Sequence, residues 1–566
     1  MSKKRNKIKL NIEDQTTIYV KPGTTVGKAL EESGIKFPYP VVGGMLDHKI
    51  VEIGRKIKYG GRLSAVHLGT TDGMRLYRRS LSFVLVRAVK DIFPDLKVYI
   101  NHSLSKGYYC ELLSAEYVNL NGFKLSREDV KRIRNRMQEI IDADEPFIRK
   151  EVPLEKGIRL FQRRRQKEKV RLLKYRQKVM KDKTISIYQC GPEKNHFYGY
   201  LVPSAGYLKV FDLKYYPPGF ILRFPEKENP DELPEFVEQD KMFQVYQEYE
   251  NWAKILGLET VSLLNELIES GGIDEFIKVA EALQEKKIAE TADMITGHEH
   301  NPRIVLIGGP SCSGKTTFSK RLSIHLRVNG FRPVIISTDD FFVDREKTPR
   351  DEYGELDFEA FDAIDYRYLN RIIRDLLKGK TVWMPKFDFA AGRRKKGMKL
   401  HLDKNQILIL EGIHSLNHRL LDIIPSGLKF RIYVSALTTL NIDYHNRVST
   451  SDSRLLRRIV RDSQFRSYTA SATLLRWPSV RRGEERNIFP YQENADVMFN
   501  SAHVYELGVL RQFVEPLLEK IPKKNPTHSE ARRLLKFISY FRNVEVVKVP
   551  RHSILREFVG GSSFNY

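Results

Sequence analysis

A strand that runs into a glycine loop and then into a helix constrains the fold of this chain more than any other feature. Residues 304–317 read IVLIGGPSCSGKTT, which fits G-x-x-x-x-G-K-[ST] with Gly309, Gly314, Lys315 and Thr316. A loop of this kind binds phosphates through its backbone N–H groups and the N-terminus of the following helix. The pattern therefore predicts a nucleotide-binding domain.

The residues of this loop have distinct expected roles. Lys315 is expected to neutralise the β and γ phosphate oxygens, and the Thr316 hydroxyl to ligate Mg²⁺. We therefore expect a nucleotide and Mg²⁺ as cofactors. The expected nucleotide-binding residues are Gly309, Pro310, Ser311, Cys312, Ser313, Gly314, Lys315, Thr316 and Thr317.

Length and composition predict several globular domains. The 566 residues are 41% hydrophobic and 30% charged, and no apolar run is long enough to cross a bilayer. The opening MSKKRNKIKL lacks the apolar core of a secretion signal, so we expect a cytoplasmic protein without a membrane partner. Cys110, Cys190 and Cys312 form no C-x-x-C pair and are expected to be reduced thiols.

The net charge of +25 favours contact with nucleic acid or phosphorylated ligands. Residues 159–183 carry twelve Lys or Arg against Glu168 and Asp182, on a pattern typical of a helix. This basic segment has two interpretations, an RNA-contacting helix or a solvated surface helix.

The N-terminal residues 1–70 alternate apolar and polar positions, turn at Pro22-Gly23 and continue into a short helix. The stretches TIYVKPGTTVGKALEES and YPVVGGMLDHKIVEIGRKI resemble the TGS domain, a ubiquitin-like module of threonyl-tRNA synthetases and some stringent-response enzymes. The resemblance implies a small ubiquitin-like domain.

Residues 71–229 follow in the order of the α+β domain with which those synthetases edit mischarged tRNA. Segment 76–83, LYRRSLSF, resembles the family's H-x-x-x-H, and segment 197–206, FYGYLVPSAG, resembles its C-x-G-x-H-x-P-S-x-G. The metal positions carry side chains that do not ligate zinc, so we expect an editing-like fold without zinc or deacylation. These positions are Arg79, Phe83, Phe197 and Leu201. RNA contact through the N-terminal half is the partner that this resemblance implies.

Helical spacing of apolar residues covers residues 230–300, and the polar GHEHNP before Arg303 marks a domain boundary. Strands and helices then alternate over residues 301–521, with strands expected at RIVLIG, PVIIS, TVWM, ILIL, FRIYV and DVMF. This order predicts an α/β fold, a parallel sheet with helices on both faces. Asp339, Asp340 and Glu411 follow two of these strands, where such sheets bind ligands.

The pieces GGPSCSGKTT, ISTDDFF, DFEAFDAID, PKFDF, ILEGI and LLRRIVRD resemble the uridine kinase and phosphoribulokinase family, in its order and approximate spacing. The resemblance implies ATP-dependent phosphorylation of a hydroxyl on a small molecule. Asp339 takes the place of the family's catalytic carboxylate, although an N-cap is the alternative role of an Asp before an apolar run. Thr316 and Glu411 take the Mg²⁺ positions, directly or through water, with Asp339 beside them.

Arginines recur at helical spacing in LLRRIVRD, which predicts a lid helix that presents guanidinium groups to the migrating phosphoryl group. The set is Arg454, Arg457, Arg458 and Arg461. With Lys315 and Asp339, the last three complete the expected catalytic residues.

The expected acceptor site departs from the family pattern. Glu359 replaces the carboxylate that binds the acceptor ribose, and the base-reading tyrosine and histidine are replaced by Phe387 and Gly392. Losing such groups costs discrimination, so we expect an acceptor other than uridine. The expected substrate-binding residues are Glu359, Phe387, Phe389 and Arg394. The basic run 393–396 suits an anionic acceptor, or is a solvated turn.

The favoured interpretation is a uridine kinase-like phosphotransferase with an alcohol acceptor. A nucleotide-regulated RNA-binding factor with weak or no kinase activity is the alternative. A tRNA-editing enzyme is opposed by the replaced metal positions. Residues 522–566 contain an amphipathic helix near Glu530 to Phe541, with packing or a homo-oligomer contact as its expected role.

Overall fold

The computed structural model describes residues 7–114 and 124–566. The N-terminal module is a mixed five-stranded sheet that packs on one helix. Its elements are β1 (Ile8–Ile12), β2 (Thr16–Val20), α1 (Val26–Glu32), β3 (Val41–Leu46), β4 (Lys49–Glu52) and β5 (Gly61–His67). The strand order is β2-β1-β5-β3-β4, with β1 and β5 parallel. This arrangement confirms the ubiquitin-like expectation for the start of the chain.

The second part combines a long buried helix with two antiparallel sheets, ordered β10-β9-β8 and β11-β12-β7-β6. Its elements are α2 (Thr71–Ile92), β6 (Leu96–Leu104), β7 (Gly107–Ser114), α3 (Arg127–Asp142), β8 (Ile148–Pro153), α4 (Leu154–Arg163), α5 (Lys167–Lys178), β9 (Thr184–Cys190), β10 (Glu193–Asn195), β11 (Asp212–Tyr216) and β12 (Gly219–Arg223). The α+β prediction for this region is confirmed.

The basic segment is not one helix. Helix α4 ends at Arg163 and α5 begins at Lys167, because Arg165 adopts a left-handed conformation with φ of +53° that interrupts the helix. Lys169 on α5 is buried and its Nζ lies 2.9 Å from the carboxylate of Asp443. Part of the predicted surface charge is therefore used to pack α5 against the C-terminal half.

Three helices connect the two halves of the molecule: α6 (Asp240–Ile255), α7 (Val261–Glu269) and α8 (Ile273–Thr296). Val261, Leu264 and Ile288 are fully buried and belong to the same apolar core as strands of the C-terminal domain. The predicted helical linker is therefore built into that domain's core.

The C-terminal domain is a five-stranded parallel sheet in the order β14-β17-β13-β18-β19. Its elements are β13 (Ile304–Gly308), α9 (Lys315–Val328), β14 (Arg332–Ser337), α10 (Tyr366–Leu377), β15 (Val382–Asp388), β16 (Arg393–Leu400), β17 (Gln406–Glu411), β18 (Lys429–Ser435), α11 (Thr450–Phe465), α12 (Ala470–Asn487), β19 (Val497–Asn500), α13 (Glu506–Glu519), α14 (His528–Ile538) and α15 (Arg556–Val559). Every residue of β13 is buried, as expected for the centre of a sheet covered on both faces. The α/β prediction is confirmed.

One predicted strand of this sheet lies elsewhere. TVWM was expected to extend the parallel sheet, but β15 pairs antiparallel with β16 in a separate hairpin. The loop from Phe389 to Gly392 reverses the chain directly, so no crossover helix returns β15 to the main sheet.

Across residues 7–114 and 124–566, no helix has both the length and the apolar character needed to cross a membrane.

Candidate active site

The phosphate-binding loop leaves β13 at the centre of the sheet and enters α9. Gly309 has φ of +150°, and a Cβ there would lie 2.0 Å from the carbonyl oxygen of Val434. Gly314, with φ of +84°, is the N-cap of α9 and has no side chain with which to cap it. The N–H groups of Lys315 and Thr316 are therefore left for a ligand, whereas the Thr317 N–H donates to Glu557. Lys315 Nζ donates to the carbonyl of Pro310 at 3.0 Å.

Arginines of α11 support the loop from behind. Arg454 donates to the carbonyl of Ser311 at 3.1 Å, and Arg457 donates to the carbonyl of Cys312 at 3.3 Å. Both guanidinium groups are buried and form ion pairs, with Glu484 and Glu506. Buried and paired in this way, they fix the loop's shape.

The structure places Arg457 behind the loop. Helical spacing predicts that it faces the phosphoryl group, whereas its side chain is fully buried behind the loop, where it pairs with Glu506 and donates to the carbonyl of Ser501. Arg458 donates to the Ser311 hydroxyl at 3.1 Å and, like Arg461, lies beside Asp462. These two are the arginines that remain nearest to solvent on this face of α11.

Lys315 interacts electrostatically with three carboxylates, and two of them, Asp339 and Glu411, lie at the ends of the neighbouring strands β14 and β17. Burial raises the pKa of Glu411 to about 7, repulsion from Asp339 adds to this, and attraction to Lys315 opposes it. Burial likewise raises the pKa of Glu359 to about 7, with Arg458 and Lys315 opposing. The pKa of Asp339 is raised by burial and lowered by Lys315, with a net upward shift. Asp339 thus contributes to the raised pKa of both glutamates, although burial is the largest cause of each shift.

Asp339 and Asp340 differ in their contacts. The Asp340 carboxylate accepts from the backbone N–H of Phe387 at 3.2 Å and pairs with Lys386 at 3.1 Å. Within the part of the chain that the structure describes, no hydrogen bond or ion pair engages the Asp339 carboxylate. Asp340 is thus committed to the hairpin, whereas Asp339 has its oxygens available for a ligand.

The expected acceptor residues do not all come together. Phe387 packs against Phe342 and Phe389, with ring centroids 5.7 and 5.1 Å apart, and so forms an aromatic wall. Arg394 instead forms a 3.1 Å ion pair with Asp365 and lines a surface cleft of about 350 Å³ with other residues of the hairpin and α10. The structure does not bring Arg394 to the phosphate loop.

Two residues near the loop were missed by sequence reasoning. His414 is buried three residues beyond Glu411, with its ring centroid 5.5 Å from that of Phe361, and burial lowers its pKa to about 4. Its position after a strand at the ligand edge is the signal that could have identified it. Glu557 accepts from Thr317 across 240 residues of sequence, so no local pattern indicates it.

The residues present fit a nucleoside triphosphate with Mg²⁺. Buried polar atoms that have no partner among the described residues lie on and beside the loop, and unpaired buried groups of this kind require a ligand or water. They are Ser313 Oγ, Thr338 Oγ1 and Glu359 Oε2. Carboxylate and hydroxyl oxygens, as on Glu411 and Thr316, are the ligands that Mg²⁺ prefers.

The replaced zinc positions of the editing-like domain do converge. Phe83 and Phe197 are buried with ring centroids 5.4 Å apart, and Arg79 donates to the carbonyl of Tyr200 at 2.6 Å. Leu201 is also buried. An apolar cluster and a guanidinium group therefore fill the space where the editing family has metal ligands. The absence of zinc and of deacylation stays a prediction.

Comparison with known proteins separates the two halves of the chain. The sequence profile described as "Phosphoribulokinase / Uridine kinase family" matches residues 304–507. The N-terminal part is similar to threonine–tRNA ligases: 29% identical over 209 residues to that of Aquifex aeolicus, and 32% over 207 residues to that of Nitratidesulfovibrio vulgaris strain DP4. These matches cover 37% and 36% of this chain and 31% and 30% of the ligases, so the chain spans about a third of these curated relatives.

A solved structure of D-glycerate 3-kinase from Cryptococcus neoformans is similar to part of the chain, with 13% identity and a TM-score of 0.22. That alignment covers 44% of this chain and 87% of the kinase. The family assignment depends on the sequence profile and on the motifs that the fold brings to one edge of the sheet. Residues 304–507 thus match the phosphoribulokinase and uridine kinase family, and the N-terminal part of the chain is similar to that of threonine–tRNA ligases.

Proposed function

We propose that this protein is an ATP- and Mg²⁺-dependent kinase that phosphorylates a hydroxyl of a nucleoside or related small molecule. One observation carries the proposal: the phosphate loop leaves β13 beside the ends of β14 and β17, where Asp339 and Glu411 lie at the same edge of the sheet. Phosphoryl transfer needs this combination of charge neutralisation and positioning more than it needs covalent catalysis.

In the proposed reaction, Asp339 orients the acceptor hydroxyl and accepts its proton. Burial raises the pKa of Asp339, which makes its carboxylate a stronger base than an exposed aspartate. Lys315 and the loop N–H groups stabilise the charge on the transferred phosphoryl group. Thr316 and Glu411 would hold Mg²⁺, which supplies further charge neutralisation when bound.

The acceptor side suits a polyol or sugar-like group more than a uracil base. Glu359 offers a carboxylate with an unpaired oxygen, which is suited to accept hydrogen bonds from hydroxyl groups. The wall formed by Phe387, Phe342 and Phe389 offers apolar ring surfaces. A site with these groups has little means of reading the polar edge of a base, which supports an acceptor other than uridine.

The experiment is a screen of nucleosides, sugars and their phosphates with purified full-length protein, reading ADP release. We expect at least one acceptor to stimulate ADP release, and Lys315→Ala to reduce that rate by at least about a hundredfold. Lys378→Ala, which removes an exposed lysine beyond α10, is the matched control and should leave the rate unchanged. Full turnover by a folded Lys315→Ala protein would contradict the proposal.

A nucleotide-regulated RNA-binding factor is the second candidate. The similarity of the N-terminal part to threonine–tRNA ligases favours it, together with the exposed basic residues of α4 and α5. A measurement of acceptor-dependent ADP release distinguishes the two candidate functions, because only the kinase needs an acceptor in order to release ADP.

A further inference from the structure

The chain's own residues 553–566 lie against the phosphate-binding end of α9. Ile554, Leu555 and Phe558 are fully buried in the core of the C-terminal domain, and the Arg457 guanidinium lies 4.9 Å from the ring centroid of Phe558. A Cβ at Gly314 would lie 2.4 Å from Cγ2 of Ile554. The segment is thus packed directly against the loop that binds phosphate.

Glu557 on this segment occupies a donor of the phosphate site. Its carboxylate accepts from the Thr317 backbone N–H at 3.1 Å and from the Thr317 hydroxyl at 2.7 Å. Thr317 is the third residue of α9, so its N–H has no partner within the helix. In a phosphate loop, N–H groups at this position bind the α and β phosphates of a nucleotide.

The outer part of the segment closes over the same threonine. Gly560 and Gly561 have φ of +81° and +71°, conformations that favour glycine, and they reverse the chain after α15. The Tyr566 hydroxyl lies 2.7 Å from the Thr317 hydroxyl, and Lys320 Nζ donates to the carbonyl of Asn565. Residues 561–566 are largely exposed, so their release disturbs little of the core.

A phosphate that accepts from the Thr317 N–H competes with the Glu557 carboxylate for it, and the like charges of the two groups repel at hydrogen-bond distances. Glu557 also lies near enough to Glu411 to contribute to the upward shift of that residue's pKa. Its charge therefore acts within the site proposed for the nucleotide and Mg²⁺.

We propose that Glu557 and the exposed residues 561–566 gate the nucleotide site: Glu557 occupies the Thr317 N–H until the phosphates of a nucleoside polyphosphate displace it. The gate rests on the proposed function, because it regulates the same phosphate site. It differs from simple helix capping, in which Glu557 remains in place when nucleotide binds.

The test is calorimetric binding of ATP and of inorganic tripolyphosphate to full-length wild type and Glu557→Gln. Glutamine keeps a hydrogen-bond acceptor for the Thr317 N–H and removes the charge. We expect both probes to bind about tenfold more tightly to Glu557→Gln than to wild type. Glu545→Gln, which makes the same charge change at an exposed position of the same region, should bind like wild type.

A second measurement needs no variant. Hydrogen exchange of peptides covering 561–566 in the wild-type protein should accelerate when ATP is added, because displacement exposes their amides. Unchanged or slower exchange overturns the gate, as does equal or weaker binding by Glu557→Gln. If wild type and Glu557→Gln bind neither ATP nor tripolyphosphate, the proposed function fails and the gate fails with it.

Discussion

Two adjacent aspartates show how much a single residue's environment decides. Asp340 accepts from a backbone N–H and pairs with a lysine of the hairpin, whereas the Asp339 carboxylate is free of such contacts within the described residues. The contacts of Asp340 commit its carboxylate to the hairpin, whereas the Asp339 carboxylate remains available to a substrate hydroxyl. Asp339 is therefore the better candidate for the base.

Asp339→Asn should lower acceptor-dependent turnover by at least about a hundredfold, because asparagine cannot accept the proton. ATP binding, measured by calorimetry, should be retained. Asp340→Asn keeps the acceptor oxygen for the Phe387 N–H, so its turnover should fall by less than about tenfold. The reverse order of damage would show that the catalytic register is shifted by one residue.

At the residue scale, sequence predicts what is local. The loop residues 309–317 follow a contiguous motif whose geometry is set by neighbouring glycines, so their positions could be predicted. Helical spacing also predicts that the α11 arginines share a face. Helical spacing does not show how deeply each arginine is buried, however. The buried pairing of Arg457 with Glu506 depends on a helix about 50 residues further along the chain.

At the scale of helices and strands, the elements that have a local sequence pattern could be predicted, and those without one could not. Strands β13 and β17 carry continuous apolar runs, which is the pattern of a covered parallel sheet. Strand β16, RRKKGMKL, is polar and largely exposed, so its pairing with β15 has no hydrophobic signature. The break between α4 and α5 lies at an arginine, which is not a residue that ordinarily signals a helix end.

Helices from the two halves are joined by a network of ion pairs. Arg75 on α2 and Arg533 on α14 both pair with Glu530, at 2.8 Å each, and Arg533 also pairs with Asp452 at 2.7 Å. Although burial alone raises the pKa of Glu530, attraction to Arg533 and Arg75 outweighs it and holds this pKa well below its usual range. The ionised form is therefore the form that the folded protein favours.

Glu530→Gln should lower the free energy of unfolding at pH 7 by about 2–3 kcal/mol, because two partly buried arginines lose their shared carboxylate. The loss should shrink below about pH 4, since a carboxylate with a depressed folded-state pKa stabilises above its unfolded pKa and ceases to do so as it protonates. Urea unfolding at pH 7 and pH 3.5 measures this. Glu519→Gln, at an exposed position, is the control. An equal penalty at both pH values would contradict the ionic account.

At the scale of the whole molecule, the contacts that link distant segments are the least predictable. Helices α7 and α8 join the core of the C-terminal domain, and residues 553–566 reach the phosphate loop. Neither contact carries a sequence motif, because each depends on how complete elements dock. The expected packing role of residues 522–566 agrees with these contacts.

The basic segment, residues 159–183, leads to a prediction about RNA binding by the whole molecule. Lys169, Arg164 and Arg176 are paired with Asp443, Glu193 and Asp182, so only the exposed charges remain for RNA. If they contact RNA, replacing them with Gln should reduce the slope of log affinity against log salt for structured RNA by about 2. The exposed residues to replace are Arg163, Arg165 and Lys167.

The matched control replaces three exposed lysines elsewhere with Gln and should leave the slope unchanged. These are Lys520, Lys523 and Lys524. Equal slopes for wild type and both variants would assign the segment to packing and solubility.

The most direct test of the central claim follows the γ-phosphoryl group itself. Labelled ATP is incubated with full-length protein and the best acceptor, and the label is measured in ADP, free phosphate and phosphorylated acceptor. A kinase predicts one phosphorylated acceptor for each ADP, with both products lost in Lys315→Ala. ADP formed with free phosphate alone, at a rate independent of every acceptor, would contradict the assignment and favour a nucleotide switch.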